Sequence, residues 1–412
     1  MKRKRPLSGI KVVELATFIA APCCCRFLAD LGAEVVKVER PAGDDLRFTA
    51  VNEGRPYGDQ EDTSFTLENT GKKCVTLNTK TPEGREAMEK LIASADIFVT
   101  NWRQPALVKQ GLDYETLHRK YPALVYGIVS GYGEKGPDKD LPGFDFTAYF
   151  ARSGVLGTLY DRDSIPMMPL AGFGDHQVAM NLAAGILAAL YRARDTGEGD
   201  QVIVSLYHSG VWDVALYLIA SQYGDSSTQY PISRRQLTNP LNLAHRTADN
   251  RWFQFACPSY DKLYNKFVSE VLDREDLVND PRFFPQTNLV NHLDEWYTLF
   301  SSAVAAHTAA YWTEKMQKAD LPFSICQTWD EVLADPQAWE SNILAKVSFP
   351  NGRERSMVRT PVMFADTELP PYERAHFLGE DTRSVLRALG YSEEQIEAML
   401  AAGAATDVKR IG

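Results

Sequence analysis

The sequence of 412 residues predicts an α/β fold built on a parallel sheet, and two observations support this prediction. Short apolar runs typical of buried strands lie at residues 10–15, 35–38, 74–77, 97–100 and 124–128. Helix-forming stretches separate these runs, at 23–31, 82–95 and 105–110. When strands and helices alternate in this way, the strands pair in parallel and the helices cover both faces of the sheet.

The first β-α-β unit occupies residues 10–38. Its helix is expected at 23–31, because Pro22 suits a first helical turn and Gly32 suits a helix end. The preceding turn, 16–22, contains no glycine, so the G-x-G-x-x-G signature of dinucleotide-binding domains is absent. The architecture is therefore predicted to be Rossmann-like, and NAD is not implied.

The composition of the chain changes at residues 224–250, which are polar and turn-rich and predict a linker. A smaller α+β unit follows, with a strand at 252–256 and several helices, before strand and helix patterns resume. The predicted domains are a large domain (1–224), a small domain (225–325) and a return segment (326–412) that completes the large domain.

The formal net charge of −10 argues against nucleic-acid binding. Lys11 and Glu14 interrupt the apolar stretch that would make the N-terminus a secretory signal, and no run of about 18 apolar residues could span a membrane. We therefore expect a cytoplasmic protein without a membrane or nucleic-acid partner.

The histidine and cysteine patterns do not predict a metal site. Cys23, Cys24 and Cys25 are adjacent, so they cannot supply the C-x-x-C spacing of zinc sites, and H-E-x-x-H does not occur. These cysteines are expected to be small buried residues in a reducing compartment. The serine-hydrolase motif G-x-S-x-G is also absent.

Asp175 is the only acidic or basic residue, histidine aside, in the mostly apolar stretch 167–191. It precedes a run, 178–190, that predicts a buried helix ending near Arg194, and a turn, a strand and a helix start are expected at 196–210. Considered alone, this pattern is more typical of an N-cap than of a catalytic group. The two roles are compatible, because helix N–H groups hold a carboxylate ionised.

Several longer segments together resemble the class III CoA-transferases, the family of the formyl-CoA:oxalate and carnitine CoA-transferases. They occur in family order and include GIKVVELATFIAAPCCCRFLADLGAEVVKVERP at 9–41, ADIFVTNWRQPALVKQGLDYETL at 95–117, GDHQ at 174–177 and LGEDTRSVLRALGYSEEQIEAM at 378–399. The segment VSGYGEKGPDKDLPGFD at 129–145 is most similar to the branch that moves CoA onto (R)-2-hydroxy acids such as phenyllactate or 2-hydroxyisocaproate.

The resemblance implies that Asp175 is the nucleophile and forms an aspartyl anhydride and then an aspartyl-CoA thioester. The resemblance implies that CoA enters as a thioester substrate, a 2-enoyl-CoA such as cinnamoyl-CoA, and it implies no tightly bound cofactor. The residues implied to contact CoA are Arg40, Leu77, Lys80, Asn101, Trp102 and Lys109. At the position of Ile19 the formyl branch carries a glutamine that helps to hold small acyl groups, so Phe18 and Ile19 imply a more apolar substrate pocket, suited to an aromatic or branched acyl chain.

The resemblance also implies a homodimer of two interlinked open-ring chains, and a functional link to a 2-hydroxyacyl-CoA dehydratase in amino-acid fermentation. Two alternatives stay open. The first is an α-methylacyl-CoA racemase-like enzyme, although Gly143-Phe144-Asp145 lacks the histidine of the racemase G-H-D motif. The second is an acyl-CoA-binding protein without catalytic activity.

Overall fold

The computed structural model describes residues 3–50, 54–223 and 230–411. The chain divides into two compact units, and the larger comprises Met1–Val155, Met168–Leu216 and Pro336–Gly412. The smaller unit comprises Leu156–Met167 and Tyr217–Asp335. The predicted boundary between residues 224 and 225 lies outside the described residues.

The larger unit contains the predicted parallel sheet, whose strand order is β12-β3-β2-β1-β4-β5-β6. All neighbours in this sheet pair in parallel except β12, which is antiparallel to β3. Strands β10 and β11 form a separate hairpin in the same unit. The strands of the larger unit are β1 (Lys11–Leu15), β2 (Glu34–Glu39), β3 (Lys73–Leu77), β4 (Ile97–Thr100), β5 (Val125–Ser130), β6 (Gln201–Ser205), β10 (Leu344–Ser348), β11 (Glu354–Val358) and β12 (Ala405–Thr406).

Most of the α-helices among the described residues belong to the larger unit. Those of the larger unit are α1 (Ala20–Asp30), α2 (Leu46–Thr49), α3 (Thr63–Asn69), α4 (Pro82–Ala93), α5 (Gln104–Gln110), α6 (Tyr114–Lys120), α7 (Val155–Thr158), α8 (Phe173–Thr196), α9 (Leu206–Asp213), α10 (Ala215–Ala220), α16 (Pro336–Glu340), α17 (Thr382–Ala388) and α18 (Glu393–Ala401); α7 and α10 each cross a boundary between the units. A π-helix, Asp145–Arg152, precedes α7. The predicted alternation of strands and helices is confirmed.

The larger unit also buries a network of charged side chains, two of which, Glu14 and Lys37, belong to β1 and β2. Lys37 Nζ lies 2.9 Å from Glu14 Oε1 and 2.9 Å from Asp44 Oδ2, and Lys72 Nζ lies 2.7 Å from Glu14 Oε2. Burial alone would raise the pKa of Glu14, yet the two ammonium groups outweigh it and lower that pKa. Because breaking a buried pair leaves an uncompensated charge, this network fixes the loops to which it is joined.

The smaller unit has its own three-stranded sheet, in the order β7-β8-β9. Its strands are β7 (Ala244–Arg246), β8 (Trp252–Phe255) and β9 (Phe323–Ile325), and its helices are α11 (Tyr260–Lys266), α12 (Gln286–Leu289), α13 (Leu293–Ala305), α14 (Ala309–Lys318) and α15 (Trp329–Ala334). Its core is largely aromatic and includes Phe253, Phe255, Trp296, Phe300 and Trp312. Among the described residues of the chain, no helix is long and apolar enough to cross a membrane.

Candidate active site

A cavity of about 310 Å³ lies at the carboxyl edge of the parallel sheet, beyond the ends of β1, β4 and β5. The chain runs from β1 outward to β2 and β3, and then returns to place β4 on the other side of β1. This reversal of strand order is a topological switch point, where open α/β sheets bind ligands. The residues that line the cavity include Thr17, Phe18, Ile19, Asn101, Trp102, Lys139, Leu141, Phe144 and Asp175.

Asp175 lies in the first turn of α8, and its N-cap interpretation is wrong. The helix begins at Phe173, and Gly172 occupies the cap position with a φ of 85° and no side-chain hydrogen bond. A glycine can adopt this left-handed conformation without strain, so the helix starts earlier than the apolar run predicts. Asp175 is consequently the third helical residue, and it borders the cavity while remaining near the positive end of the helix dipole.

Gly174 allows the start of α8 to pack closely against the π-helix. A Cβ atom at this position would clash with the aromatic ring of Tyr149. The Tyr149 hydroxyl donates a hydrogen bond to Asp213 Oδ2 at 2.6 Å, which fixes the ring. The position of Asp175 relative to the cavity therefore depends on a glycine immediately before it.

The surroundings of Asp175 disfavour its charged form. Burial, followed by the negative charges of Asp145 and Glu68, raises its pKa to about 7 from an ordinary value of 3.8, and His176 acts in the opposite direction. Asp145 Oδ2 accepts a hydrogen bond from the Gly172 N–H at 3.0 Å, which holds the two carboxylates near the same helix end. A carboxylate with this pKa is more basic than usual and is still substantially ionised near neutral pH.

His176 pairs with a buried carboxylate beside Asp175. Its Nε2 lies 2.9 Å from Glu68 Oε1, and the hydrogen bond and charge of Glu68 raise the pKa of the imidazole, outweighing the opposing effect of burial. Cys23 lies near the same pair, and the Cys23, Glu68 and His176 ligand atoms lie within 4.8 Å of one another. Burial and Glu68 raise the Cys23 pKa well above its ordinary value, so its thiol stays protonated. The predicted burial of Cys23–Cys25 is confirmed.

Five of the residues selected from the sequence lie together around the cavity: Phe18, Ile19, Asn101, Trp102 and Asp175. The Phe18 ring meets the Phe144 ring edge to face, with centroids 5.8 Å apart and an interplanar angle of 88°. This aromatic pair gives one side of the cavity an apolar surface.

Arg40 and Trp102 line an adjacent cavity of about 200 Å³. The Arg40 guanidinium donates to Gly43 O at 3.0 Å and also pairs with Asp45, and it remains about half exposed. Trp102 therefore borders both cavities.

The three other residues selected as CoA contacts do not line either of these cavities. The Leu77 side chain is buried in the core, and its backbone pairs with Ala405 of β12. Lys80 follows β3 and Lys109 lies in the last turn of α5, and both are exposed.

Sequence reasoning did not select Glu68, Asp145 or Lys139 as site residues. Lys139 belongs to a turn-rich loop and lines the larger cavity. Glu68 is separated from His176 by 108 residues, and no local pattern indicates their contact. Asp145 could have been found, because it belongs to the tripeptide that aligns with the racemase G-H-D motif.

Fold and site together define an α/β enzyme with a carboxylate at the ligand-binding edge of its sheet. The chain belongs to CoA-transferase family III, whose family model matches residues 7–382, and it is a CoA-transferase. The family resemblance inferred from the motifs is thus confirmed.

Among similar proteins is a cinnamoyl-CoA:phenyllactate CoA-transferase from Clostridium sporogenes. It is 48% identical over 391 residues, which cover 95% of this chain and 95% of the relative. An (R)-2-hydroxy-4-methylpentanoate CoA-transferase from Clostridioides difficile is 42% identical and covers 95% of this chain and 97% of its own. A crystal structure of a CAIB/BAIF family protein from Brucella suis superposes with a TM-score of 0.79 at 27% identity, over 94% of this chain and 100% of that protein.

Proposed function

We propose that this enzyme transfers CoA from a 2-enoyl-CoA, such as cinnamoyl-CoA, to an (R)-2-hydroxy acid with an aromatic or branched side chain. The proposal rests on Asp175, a carboxylate that borders the cavity at the switch point of the sheet. The names of the two similar transferases indicate acids of the phenyllactate and 2-hydroxyisocaproate types. The apolar side formed by Phe18 and Phe144 suits such acids.

In the proposed reaction, Asp175 attacks the donor thioester carbonyl, a C–O bond forms, and the C–S bond breaks to release CoA thiolate. The thiolate then attacks the aspartyl carbonyl of the mixed anhydride, which forms an aspartyl-CoA thioester and releases the donor acid. The acceptor carboxylate attacks this thioester and releases thiolate again. The thiolate finally attacks the acceptor carbonyl of the second anhydride and regenerates Asp175. One thioester is consumed and one is formed, so ATP is not required.

The surroundings of Asp175 suit this sequence of steps. The raised pKa makes the carboxylate a stronger nucleophile, and the N–H groups at the start of α8 offset part of the penalty that burial imposes on its ionised form. Partial burial limits the access of water, to which every anhydride and thioester intermediate is sensitive. His176, paired with Glu68, opposes the repulsion from the neighbouring carboxylates.

We further propose that CoA contacts the residues selected from the family resemblance. CoA carries a diphosphate and a 3′-phosphate, which require cationic partners. Arg40 at the smaller cavity and the exposed Lys80 and Lys109 could supply these charges. Trp102 borders both cavities, so it could enclose the part of CoA that lies between them.

The proposed assembly is the interlinked homodimer, and the exposed apolar surface supports it. Helix α10 has the sequence ALYLIA, and none of its residues is buried. In the larger unit, Trp212 is 70% exposed and Tyr191 is 82% exposed. Large apolar groups exposed on this scale are typical of a surface that a second chain covers. A 2-hydroxyacyl-CoA dehydratase would consume the proposed product.

The reaction can be tested by mass spectrometry of CoA exchange between a series of 2-hydroxy acids and acyl-CoA donors. Replacing Asp175 with Ala or Asn should abolish exchange while the protein remains folded. Quenching the wild-type reaction with hydroxylamine should leave a hydroxamate on Asp175. Near-normal exchange in either variant would contradict the nucleophilic role. Exchange of the substrate α-hydrogen without CoA transfer would instead support the racemase, and binding without either reaction would support the binding protein.

A further inference from the structure

The turn that connects β1 to α1 forms one wall of the larger cavity. Thr17, Phe18 and Ile19 all line that cavity together with Asp175. Phe18 has a φ of 62°, in the left-handed region that bulky side chains rarely adopt. A conformation of this kind persists only where the surrounding structure holds it, and it is often found beside functional sites.

Side chains from other elements hold the backbone of this turn. Lys37 belongs to β2, Asp44 to the loop after β2, and Asn101 immediately follows β4. Their hydrogen bonds are Lys37 Nζ to Ala16 O (3.0 Å), Thr17 N–H to Asn101 Oδ1 (3.1 Å), Asn101 Nδ2 to Thr17 O (2.7 Å) and Phe18 N–H to Asp44 Oδ1 (3.0 Å). The side chains of Lys37, Asp44 and Asn101 therefore fix the backbone of three consecutive residues, 16–18, from outside the turn.

Asp44 connects the turn to the buried charges of the core. Its Oδ1 accepts hydrogen bonds from the N–H groups of both Phe18 and Leu46, whereas its Oδ2 pairs with Lys37. Lys37 and Asp44 are both almost completely buried. Charge-assisted hydrogen bonds in such surroundings are strong, so the turn is attached to a rigid support.

The turn also touches the segment that carries the nucleophile. A Cβ atom placed on Gly172 would lie 3.2 Å from Ile19 Cδ1, which shows how closely this side chain approaches the start of α8. Phe18 also contacts Phe144, which lines the same cavity. A displacement of the turn would therefore alter the space that an acyl group occupies beside Asp175.

We infer that Asn101 and Asp44 are positioning residues that hold the Ala16–Phe18 turn, so that Phe18 and Ile19 orient the acyl group beside Asp175. This inference rests on the proposed function. It limits the proposed contact between Asn101 and CoA to atoms outside the side-chain amide, because both polar atoms of that amide are already bonded to Thr17.

The direct test measures hydrogen exchange at individual backbone amides. Asn101→Ala should reduce protection of the Thr17 amide by about tenfold or more, because the variant removes its acceptor. Asp44→Ala should do the same at Phe18, and Asp44→Asn should restore protection there, since its amide oxygen can still accept. If Asp44→Ala does not fold, Asp44→Asn still tests whether a side-chain acceptor at this position protects the Phe18 amide.

The functional test compares steady-state kinetics with CoA affinity. Asn101→Ala should reduce kcat/KM for the acceptor acid about 10- to 100-fold, the range expected for a small misplacement of reacting groups. The dissociation constant for free CoA should change less than about threefold, because the amide does not bind CoA in this inference. Asn265→Ala is the matched control, since Asn265 also makes two hydrogen bonds through its amide, both to Asn279 of the smaller unit. It should lower stability without altering the kinetics.

Two results would overturn the inference. A CoA affinity at least tenfold weaker in Asn101→Ala, with Thr17 still protected, would make Asn101 a CoA contact. Loss of protection with kinetics like those of Asn265→Ala would show that the turn does not orient the substrate. Hydrogen exchange and CoA binding can be measured without turnover. A wild-type protein that is inactive toward 2-hydroxy acids would therefore contradict the proposed function, and this outcome is distinct from the two results that would overturn the inference about the turn.

Discussion

The raised pKa of Asp175 predicts that activity depends on a neighbouring carboxylate. After burial, the negative charge of Asp145 is the largest cause of the rise to about 7. We predict that Asp145→Asn moves the acidic limb of kcat/KM for acyl-CoA to lower pH. The substitution removes the charge, while its amide oxygen can still accept from the Gly172 N–H, as Asp145 Oδ2 does at 3.0 Å.

The size of the effect follows from the ionised fraction of Asp175. With a pKa of about 7, roughly a tenth of the carboxylate is ionised at about pH 6. If loss of the Asp145 charge lowers that pKa by about one unit, or ~1.4 kcal/mol, roughly half is ionised at the same pH. The value of kcat/KM should then rise about fivefold at about pH 6 and change little at about pH 8.5, where both proteins are ionised.

The assay is the initial rate of CoA exchange at low acyl-CoA concentration from about pH 5 to 9, since kcat/KM reports the free enzyme. Asp195→Asn is the control, because Asp195 is an exposed acid near the opposite end of α8, roughly 30 Å along the helix. An acidic limb that stays in place in Asp145→Asn, or that moves equally in Asp195→Asn, would refute this reasoning.

Three further predictions concern Asp175, CoA binding and the start of α8. Asp175→Asn should increase the free energy of unfolding at about pH 8 by ~1–3 kcal/mol. Because the pKa of Asp175 is raised in the folded state, the wild-type protein loses stability as the pH rises from 3.8 through about 7, and the Asn variant does not. The difference between the two proteins should therefore vanish below about pH 4 in thermal melts. Lys80→Ala and Lys109→Ala should raise KM for acyl-CoA more than KM for the acid, and equal changes in steady-state kinetics would oppose a role in CoA binding. Gly174→Ala should destabilise the fold by ~1–3 kcal/mol in denaturant titrations, because its Cβ would clash with the Tyr149 ring; unchanged stability would show that the helix start can shift freely.

The parallel sheet could be predicted because each strand is marked locally. The apolar run 97–100 corresponds to β4 without a shift, and the run 74–77 lies within β3. The start of α8 was harder to predict, because Phe173 and Gly174 have poor helix propensity and precede the apolar run. Tertiary packing against Tyr149, rather than propensity, places them in the helix.

The candidate site was only partly predictable for a similar reason. The position of Asn101 follows from its place after a strand, where parallel sheets bind ligands. Its hydrogen bonds to Thr17 join residues 84 positions apart, and no periodic pattern indicates such a contact. The effect of Asp145 and Glu68 on Asp175 is likewise created by folding, since each carboxylate considered in the sequence alone is an ordinary acid.

The antiparallel pairing of β12 with β3 has a consequence for biosynthesis. About 330 residues separate the two strands, so a ribosome that adds roughly 5–20 residues per second needs roughly 16–65 s to deliver β12 after β3 has emerged. Throughout this interval the hydrogen-bonding groups at that edge of β3 have no strand partner, and an open strand edge invites pairing with other chains. Nascent polypeptides of this enzyme should therefore depend on chaperones until translation has nearly finished.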